Sequence, residues 1–422
     1  SRVNPDTMRT VLLATLLLGS LRLFAQRECA THQYTEQQKV IDPTFTQKII
    51  ATEQFIQQHQ TSVTARGADA SANLSVIRVP VVVHVIYNNG SENISDAQIQ
   101  SQIDVLNKDY RRLNADTANT PDRFKPFTAD VQIEFALATA DPNGRATTGI
   151  IRKYSSTRYW SMDDKIKYSS QGGDDAWDAK NYLNIWVSNT RNLLGYSSEP
   201  GCDPAKDGIV INYSAFGTIS TVAPYHLGRT ATHEVGHWLS LKHIWGDANC
   251  GDDLVYDTPS QSMYTSGCPT GVRVTCSNAP LGDMYMNYMD FTNDACMNLF
   301  TEGQKQRMRS LFAAGGPRYT LLTSKGLNQP WNKEAPIVEV KTPTIFISIF
   351  PNPATDQITL SLNESWIGKE VQIINMNGTL VAKQTVTNAI QKINLQRFAV
   401  GGYIIQGSNG DVLLRQKFIK MN

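Results

Sequence analysis

HEVGHWLSLKH spans residues 233–243 and holds three of the seven histidines in the chain. On a helix, residues four apart lie one above the other, so His233 and His237 can reach the same ion. Glu234 sits beside them, placed to work on a water at the ion rather than to bind the ion itself. His243 comes six residues after His237, beyond the reach of a continuing helix. The chain must therefore turn away after about Ser240 and return, and serine carries a modest strain where a turn favours positive φ. Three neutral imidazoles with one position left open describe a catalytic zinc site, not a closed structural one. A buried helix with chance histidines explains a bare HExxH well. It explains the full HExxHxxxxxH, flanked by Val235, Trp238, Leu239 and Leu241, poorly.

At 422 residues the chain has room for two or three domains, and 39 Lys+Arg against 38 Asp+Glu gives a net charge of +1. So even a balance gives no sign of a nucleic-acid partner. Hydrophobic residues, at 41%, are ample for a packed core. Met8 and Arg9 precede the apolar run VLLATLLL (11–18) and then SLRLFAQ, with Ala25 at a plausible cleavage point. The run is too short to span a bilayer, so residues 1–26 read as a secretory signal starting at Met8. No other stretch is apolar enough to cross a membrane, which predicts a released product. Export permits disulfides. Cys250, Cys268, Cys276 and Cys296 cluster after the histidine motif, Cys202 stands upstream and Cys29 lies near the start. The sequence leaves their pairing open.

Residues 27–75 are polar and glutamine-rich, with a helical piece around EQQKVIDPTFTQKIIATEQFIQQ, and read as a pro-segment ending in TSVTARGADASANLS. From there the texture changes. Strands are expected at 79–87, 131–138, 183–190 and 208–216, with a serine-capped helix over 95–114. Strands and helices alternating up to the histidine helix imply an α/β upper lobe, and the cysteine-rich stretch beyond it a loop-rich lower one. A helix is expected from about Thr301 to Phe312, a proline-bearing linker over 319–343, and a small all-β sandwich over 344–422 with a hairpin at Asn377-Gly378.

The histidine motif, with Met289 downstream in NYMDF, resembles the metzincin clan: three zinc-binding histidines, a general-base glutamate and a Met-turn beneath the metal. HEVGHWLSLKHIWGD, the DTP at 257–259 and NYMDFTNDACMNLF resemble the pappalysin family within it, over roughly residues 75–318. The resemblance implies an α+β metzincin catalytic domain (a twisted mixed sheet, an active-site helix and a loop-rich lower lobe) over residues 76–318. It also implies disulfides Cys250–Cys276 and Cys268–Cys296. Two positions depart from the family pattern. Serine stands at 240 where glycine is usual. Phe291 stands where a tyrosine after the Met-turn is thought to stabilise the oxyanion, a loss worth up to ~10²–10³ in rate. The tail resembles the type IX secretion sorting domain through FPNPA (350–354), Asn375 to Gly378, GGYII (401–405) and LLRQKFIK. An Ig-like sandwich, recognition by that secretion machinery and outer-membrane export follow from the resemblance. A carbohydrate-binding sandwich is the alternative.

These readings predict a secreted zinc endopeptidase. Zinc on His233, His237 and His243 polarises the scissile carbonyl, and Glu234 takes and passes on the proton of a water. An inactive metal-binding or adhesive protein on the same scaffold is the alternative. Asp252, Asp253 and Asp257 crowd into GDDLVYDTP, and hard carboxylates at that density suit Ca²⁺, with Asp253 and Asp257 as ligands. The competing reading is a solvated acidic turn. Cys29, in RECAT, is expected to occupy the open zinc position in a latent form; a disulfide with Cys202 competes. By resemblance, Asp294 lines the pocket for the residue after the scissile bond and faces arginine rather than lysine. An ordinary turn-capping or calcium-binding aspartate is the alternative there. Self-cleavage before an exposed arginine is then expected at Ala65–Arg66.

Overall fold

The structure is a computed structural model describing residues 29–64, 75–332, 348–362, 366–408 and 413–422. The expected signal at 1–26 and the Ala65–Arg66 bond lie outside the described residues. Two compact units are present, one formed by residues 1–88 and 92–334 and the other chiefly by 335–422.

The first unit is built on β1 (Ile77–Tyr87), whose residues are buried except Arg78. A β-branched run covered on both faces suits the middle of a parallel sheet. β1 pairs in parallel with β2 (Ile133–Leu137), β3 (Ile150–Tyr154) and β4 (Leu183–Ser188). β4 pairs in parallel with β6 (Ile209–Asn212), and the three-residue β5 (Gly195–Ser197) runs antiparallel along β6 at the sheet edge. The sheet is therefore mixed. β3 and β5 escaped the sequence reading, since β3 is only half-buried and β5 is too short to show a period. The strand expected over 208–216 ends at Asn212, whose side chain accepts the Ser214 N–H and opens a 3₁₀ turn.

Two helices precede the sheet, α1 (Thr31–Ile41) and α2 (Phe45–Thr64). The single helical piece expected there is broken at Asp42-Pro43, because proline cannot continue the hydrogen-bond ladder. Asp42 Oδ1 instead accepts the Thr44 N–H (2.9 Å) and hydroxyl (2.6 Å). Helix α3 (Asp96–Tyr110) starts at Ser95, whose hydroxyl accepts the Gln98 N–H. It buries Ile99, Ile103, Leu106 and Tyr110 at helical spacing. The histidine helix, α4 (Arg229–Trp238), is buried at every position. Beyond it the chain runs irregularly, stapled by Cys250–Cys276 and Cys268–Cys296, to α5 (Glu302–Ser310), which opens with a Thr301/Gln304 capping box. Residues 319–332, expected as linker, pack on this unit. Leu321 is buried, Thr139 N–H donates to the Gly326 carbonyl at 2.8 Å, and Trp331 N–H to that of Gly144 at 3.0 Å.

The second unit is all-β. One antiparallel sheet orders β10 (Leu380–Thr385), β9 (Glu370–Asn375), β12 (Gly401–Ser408) and β13 (Leu413–Lys420), and the other β11 (Ile390–Asn394), β8 (Gln357–Ser361) and β7 (Ser348–Phe350). Inward residues of both, among them Ile358, Leu360, Val371, Ile373, Tyr403 and Phe418, share one core. Gly378, at φ +82°, turns the hairpin between β9 (Glu370–Asn375) and β10 (Leu380–Thr385).

Candidate active site

Helix α4 is anchored at both ends by buried charge. Arg229, its first residue, pairs with Asp109 (3.1 Å) and Asp116 (3.1 Å) and donates to the Met297 carbonyl (2.6 Å). Asp109 also accepts the Thr232 hydroxyl at 2.7 Å, which ties the helix to α3. At the other end Asp207 accepts the Trp238 indole N–H (2.7 Å) and pairs with Arg318, whose guanidinium lies over the Trp238 ring. Unpaired, any of these buried charges would be strongly destabilising.

The helix ends as the motif requires. Ser240 takes the left-handed conformation, φ +67°. Its N–H donates to His237 O (2.8 Å) and that of Leu241 to Gly236 O (2.9 Å), a Schellman pair. Arg307 Nε donates to the Ser240 carbonyl at 2.7 Å and holds the turn. His243 is thereby carried back to the helix face. His237 Nε2 lies 3.1 Å from His233 Nε2 and 3.1 Å from His243 Nε2. Each remaining ring nitrogen has a partner: His233 Nδ1 and the Tyr288 carbonyl (2.7 Å), His237 Nδ1 and Leu241 O (2.8 Å), His243 Nδ1 and Asp247 (2.5 Å). With every Nδ1 donating outward, all three Nε2 lone pairs face one point. That repels unless a cation stands there, and a tetrahedral zinc with bonds of about 2.0–2.1 Å separates its nitrogens by a similar distance. The three imidazoles fit such an ion. Burial and the neighbouring His243 hold His237 down at about 3, which keeps it unprotonated.

The fourth member of the cluster comes from the N-terminal segment. Cys29 Sγ is 3.5 Å from His237 Nε2, and all four ligand atoms lie within 4.8 Å of one another. Ala30 N–H donates to the Gly195 carbonyl on β5 (3.1 Å), so the segment runs along the sheet edge. Thr31 then reaches the glutamate: its hydroxyl donates to Glu234 Oε2 (2.8 Å) and accepts the Ser197 N–H (2.9 Å). Two glycines keep this geometry close-packed. A Cβ at Gly236 would stand 2.5 Å from Met289 Sδ, and one at Gly195 3.0 Å from Glu234 Cγ. Met289 is fully buried beneath the helix, and Phe291 packs its ring against His243 (4.8 Å) and Trp245 (4.8 Å).

Residues 167–313 match the peptidase family described as pregnancy-associated plasma protein-A, and residues 348–421 match the secretion system C-terminal sorting domain. An extracellular metalloprotease of Verticillium alfalfae is 34% identical over 247 residues, covering 56% of this chain and 76% of that protein. Mature mirolysin of Tannerella forsythia, solved with a cleaved peptide, is 52% identical over 59% of this chain and 97% of its own, with a TM-score of 0.58.

This chain belongs to the pappalysin family of metalloproteases. Like its pappalysin relatives it is a metalloendopeptidase, and its type IX sorting tail marks it as secreted or cell-surface. A promirolysin mutant aligns over 70% of this chain at 49% identity, covering 97% of that protein with a TM-score of 0.65. The extra coverage relative to the mature form accords with synthesis as a zymogen.

The remaining residues singled out from the sequence fall outside the histidine cluster. Asp294 is fully buried, and its Oδ2 accepts the N–H groups of Leu227 (2.8 Å) and Arg229 (3.3 Å) at the start of α4. Asp253 gives both carboxylate oxygens to the Thr258 hydroxyl (2.8 and 2.9 Å), and burial pushes it up to about 7. Asp257 accepts the Thr301 hydroxyl (2.6 Å) and the Gly303 N–H (2.9 Å) at the start of α5. Protein donors thus occupy the two carboxylates expected to hold calcium. Cys202 is not disulfide-bonded to Cys29, and burial pushes its thiol up to about 12. Thr31, Gly195, Gly236 and Asp247 went unnoticed in the sequence, although Gly236 lies inside the motif itself.

Proposed function

We propose that the protein is a latent zinc endopeptidase that cuts before arginine and is restrained by its own N-terminal segment. The observation that carries this is the convergence of Cys29, His233, His237 and His243 on one point, with Glu234 held beside it. Zinc bound by the three histidines would polarise the scissile carbonyl and favour deprotonation of a water. Glu234 accepts that water's proton and delivers it to the leaving amine. The edge of β5 offers the Gly195 carbonyl and Ser197 N–H to pair with an extended peptide, as Ala30 and Thr31 do now. Met289 supports the histidine platform from below by filling the space that Gly236 leaves.

In the latent form the Cys29 sulfur takes the position a water would need. Burial, and then the Glu234 carboxylate, push the free thiol well above its ordinary value, so a cation among the histidines is what favours the thiolate. Residues 27–75 act as the pro-segment, and cleavage at Ala65–Arg66 separates Cys29 from the catalytic unit. Asp294 sets the arginine preference. Its carboxylate accepts two backbone amides at the start of α4, and a carboxylate can meet a guanidinium bidentately. Lys is the second choice, because a point charge matches the carboxylate less well. Calcium at Asp253 and Asp257 would have to displace the Thr258 and Thr301 hydroxyls, and is proposed as a stabilising ion only.

N-terminal sequencing of self-activated protein, beside a Glu234→Ala control and a peptide library, tests the reading. Cleavage before Arg66, an intact control and arginine preference are expected. A new N-terminus elsewhere than before Arg or Lys refutes it.

A further inference from the structure

Five residues beyond Cys29, Tyr34 of α1 is buried in a pocket that belongs to the catalytic unit. Its hydroxyl donates to Asp164 Oδ1 (2.7 Å) and accepts from Lys167 Nζ (3.1 Å). Its ring lies 4.9 Å from that of Tyr196, and Lys167 Nζ stands over it at 4.7 Å. The walls do not depend on Tyr34. Asp164 pairs with Lys167 (3.0 Å) and Lys206 (3.2 Å), and Lys167 donates to the Lys206 carbonyl (2.9 Å). Trp186 is tied to the Asp174 carbonyl (2.9 Å) and Tyr196 to that of Ser161 (3.4 Å). Asp164 itself is held at φ +62°, a left-handed backbone that costs energy in a non-glycine residue and persists only where its surroundings impose it.

We propose that this pocket is a substrate subsite for a tyrosine side chain. The proposal rests on the peptidase reading above and adds a second specificity element to it. The N-terminal segment lies where a substrate must lie to reach Glu234, with Ala30 on the β5 carbonyl and Thr31 on the carboxylate. Tyr34 is one helical turn from Thr31, so its pocket opens within roughly 5 Å of chain travel from that contact. Tyr196, a wall of the pocket, belongs to β5 itself. When the segment leaves, an aromatic slot remains with a carboxylate and two ammonium groups at its end. A group that both donates to Asp164 and accepts from Lys167, at the tip of a flat ring, is a phenol. Phenylalanine fills the slot but leaves both charged groups one partner short, which weakens binding by about ten- to a hundredfold.

The test uses activated protein, or precursor relieved of its N-terminal segment by limited proteolysis. Peptides varied to Tyr, Phe or Ala at every position on both sides of the bond are compared by kcat/KM. Fluorescence anisotropy reads binding of a labelled peptide of residues 27–44, with Tyr34 or with Tyr34→Phe. We expect one position, other than the one after the bond, to favour Tyr over Phe at least about tenfold, and the Tyr34→Phe peptide to bind correspondingly more weakly. Peptides cleaved with no position favouring Tyr over Phe overturn the subsite, as does equal binding of the two labelled peptides. Tyr-dependent binding without cleavage of any peptide supports the pocket and counts instead against the peptidase reading.

Discussion

Replacing Thr31 by valine keeps the side chain's shape and removes its hydroxyl. In the closed form that hydroxyl donates to Glu234 Oε2 at 2.8 Å and accepts the Ser197 N–H at 2.9 Å, both in buried surroundings. A hydrogen bond to a charged group contributes about 1.5–3 kcal/mol, and the stranded Ser197 amide adds to the loss. These contacts exist only while the segment is docked, so the change acts on the closed state alone. The open fraction should therefore rise about ten- to a hundredfold, and self-activation should quicken by the same factor when opening limits the rate. The assay is a gel time course of precursor conversion after zinc is supplied, run beside a Glu234→Ala precursor that cannot convert. Unchanged kinetics for Thr31→Val would show that Thr31 does not hold the glutamate, and that the sulfur contact alone maintains latency.

Cys29→Ala should also activate faster than wild type but keep a measurable lag, because Thr31 still occupies Glu234; the double variant should show none in the same gel assay. Glu53 of α2 makes a bidentate pair with Arg307 (2.9 and 2.5 Å), which also holds the Ser240 turn. Burial alone would raise the Glu53 carboxyl, but the Arg307 hydrogen bonds and charge outweigh it and hold it below its ordinary value. A depressed docked-state value means that docking is strongest above the ordinary glutamate range, about 4.3, and weakens as pH falls through it. Release of the cleaved segment should accelerate there in wild type and depend less on pH in Glu53→Gln, as gel filtration would read. Added Ca²⁺ should raise the melting temperature of wild type and do so less for Asp253→Asn; no shift in wild type removes calcium from the account.

The site was legible in the sequence to the extent that its geometry is local. His233, Glu234 and His237 share one helical turn, and the hydrophobic residues around them signal burial, so spacing alone brings them together. The turn at Ser240 follows from having to return His243 to that face. The strand cores around 79–87 and 183–190 read well because buried parallel strands are long apolar runs. What stayed hidden is set by contacts far apart in sequence. Thr31 meets Glu234 across 203 residues and Ser197 across 166, and no period or motif announces either pairing. The absence of a side chain at Gly195 matters because the Val210 carbonyl and Glu234 lie against it, and β5 is too short to be seen. Asp253 and Asp257 read as an acidic cluster, yet Thr258 and Thr301 take up their oxygens once the loop folds. The stretch after 318 looked like linker because its packing partners, Gly144 and Thr139, lie far upstream.

Casein hydrolysis by the activated protein, with and without a zinc chelator and beside Glu234→Ala, decides whether the histidine cluster and Glu234 cut peptides. The chelator should abolish cleavage, added zinc should restore it, and Glu234→Ala should lose at least about a hundredfold in rate while still binding one zinc per chain. Cleavage that survives chelation, or a Glu234→Ala protein as active as wild type, would contradict that chemistry.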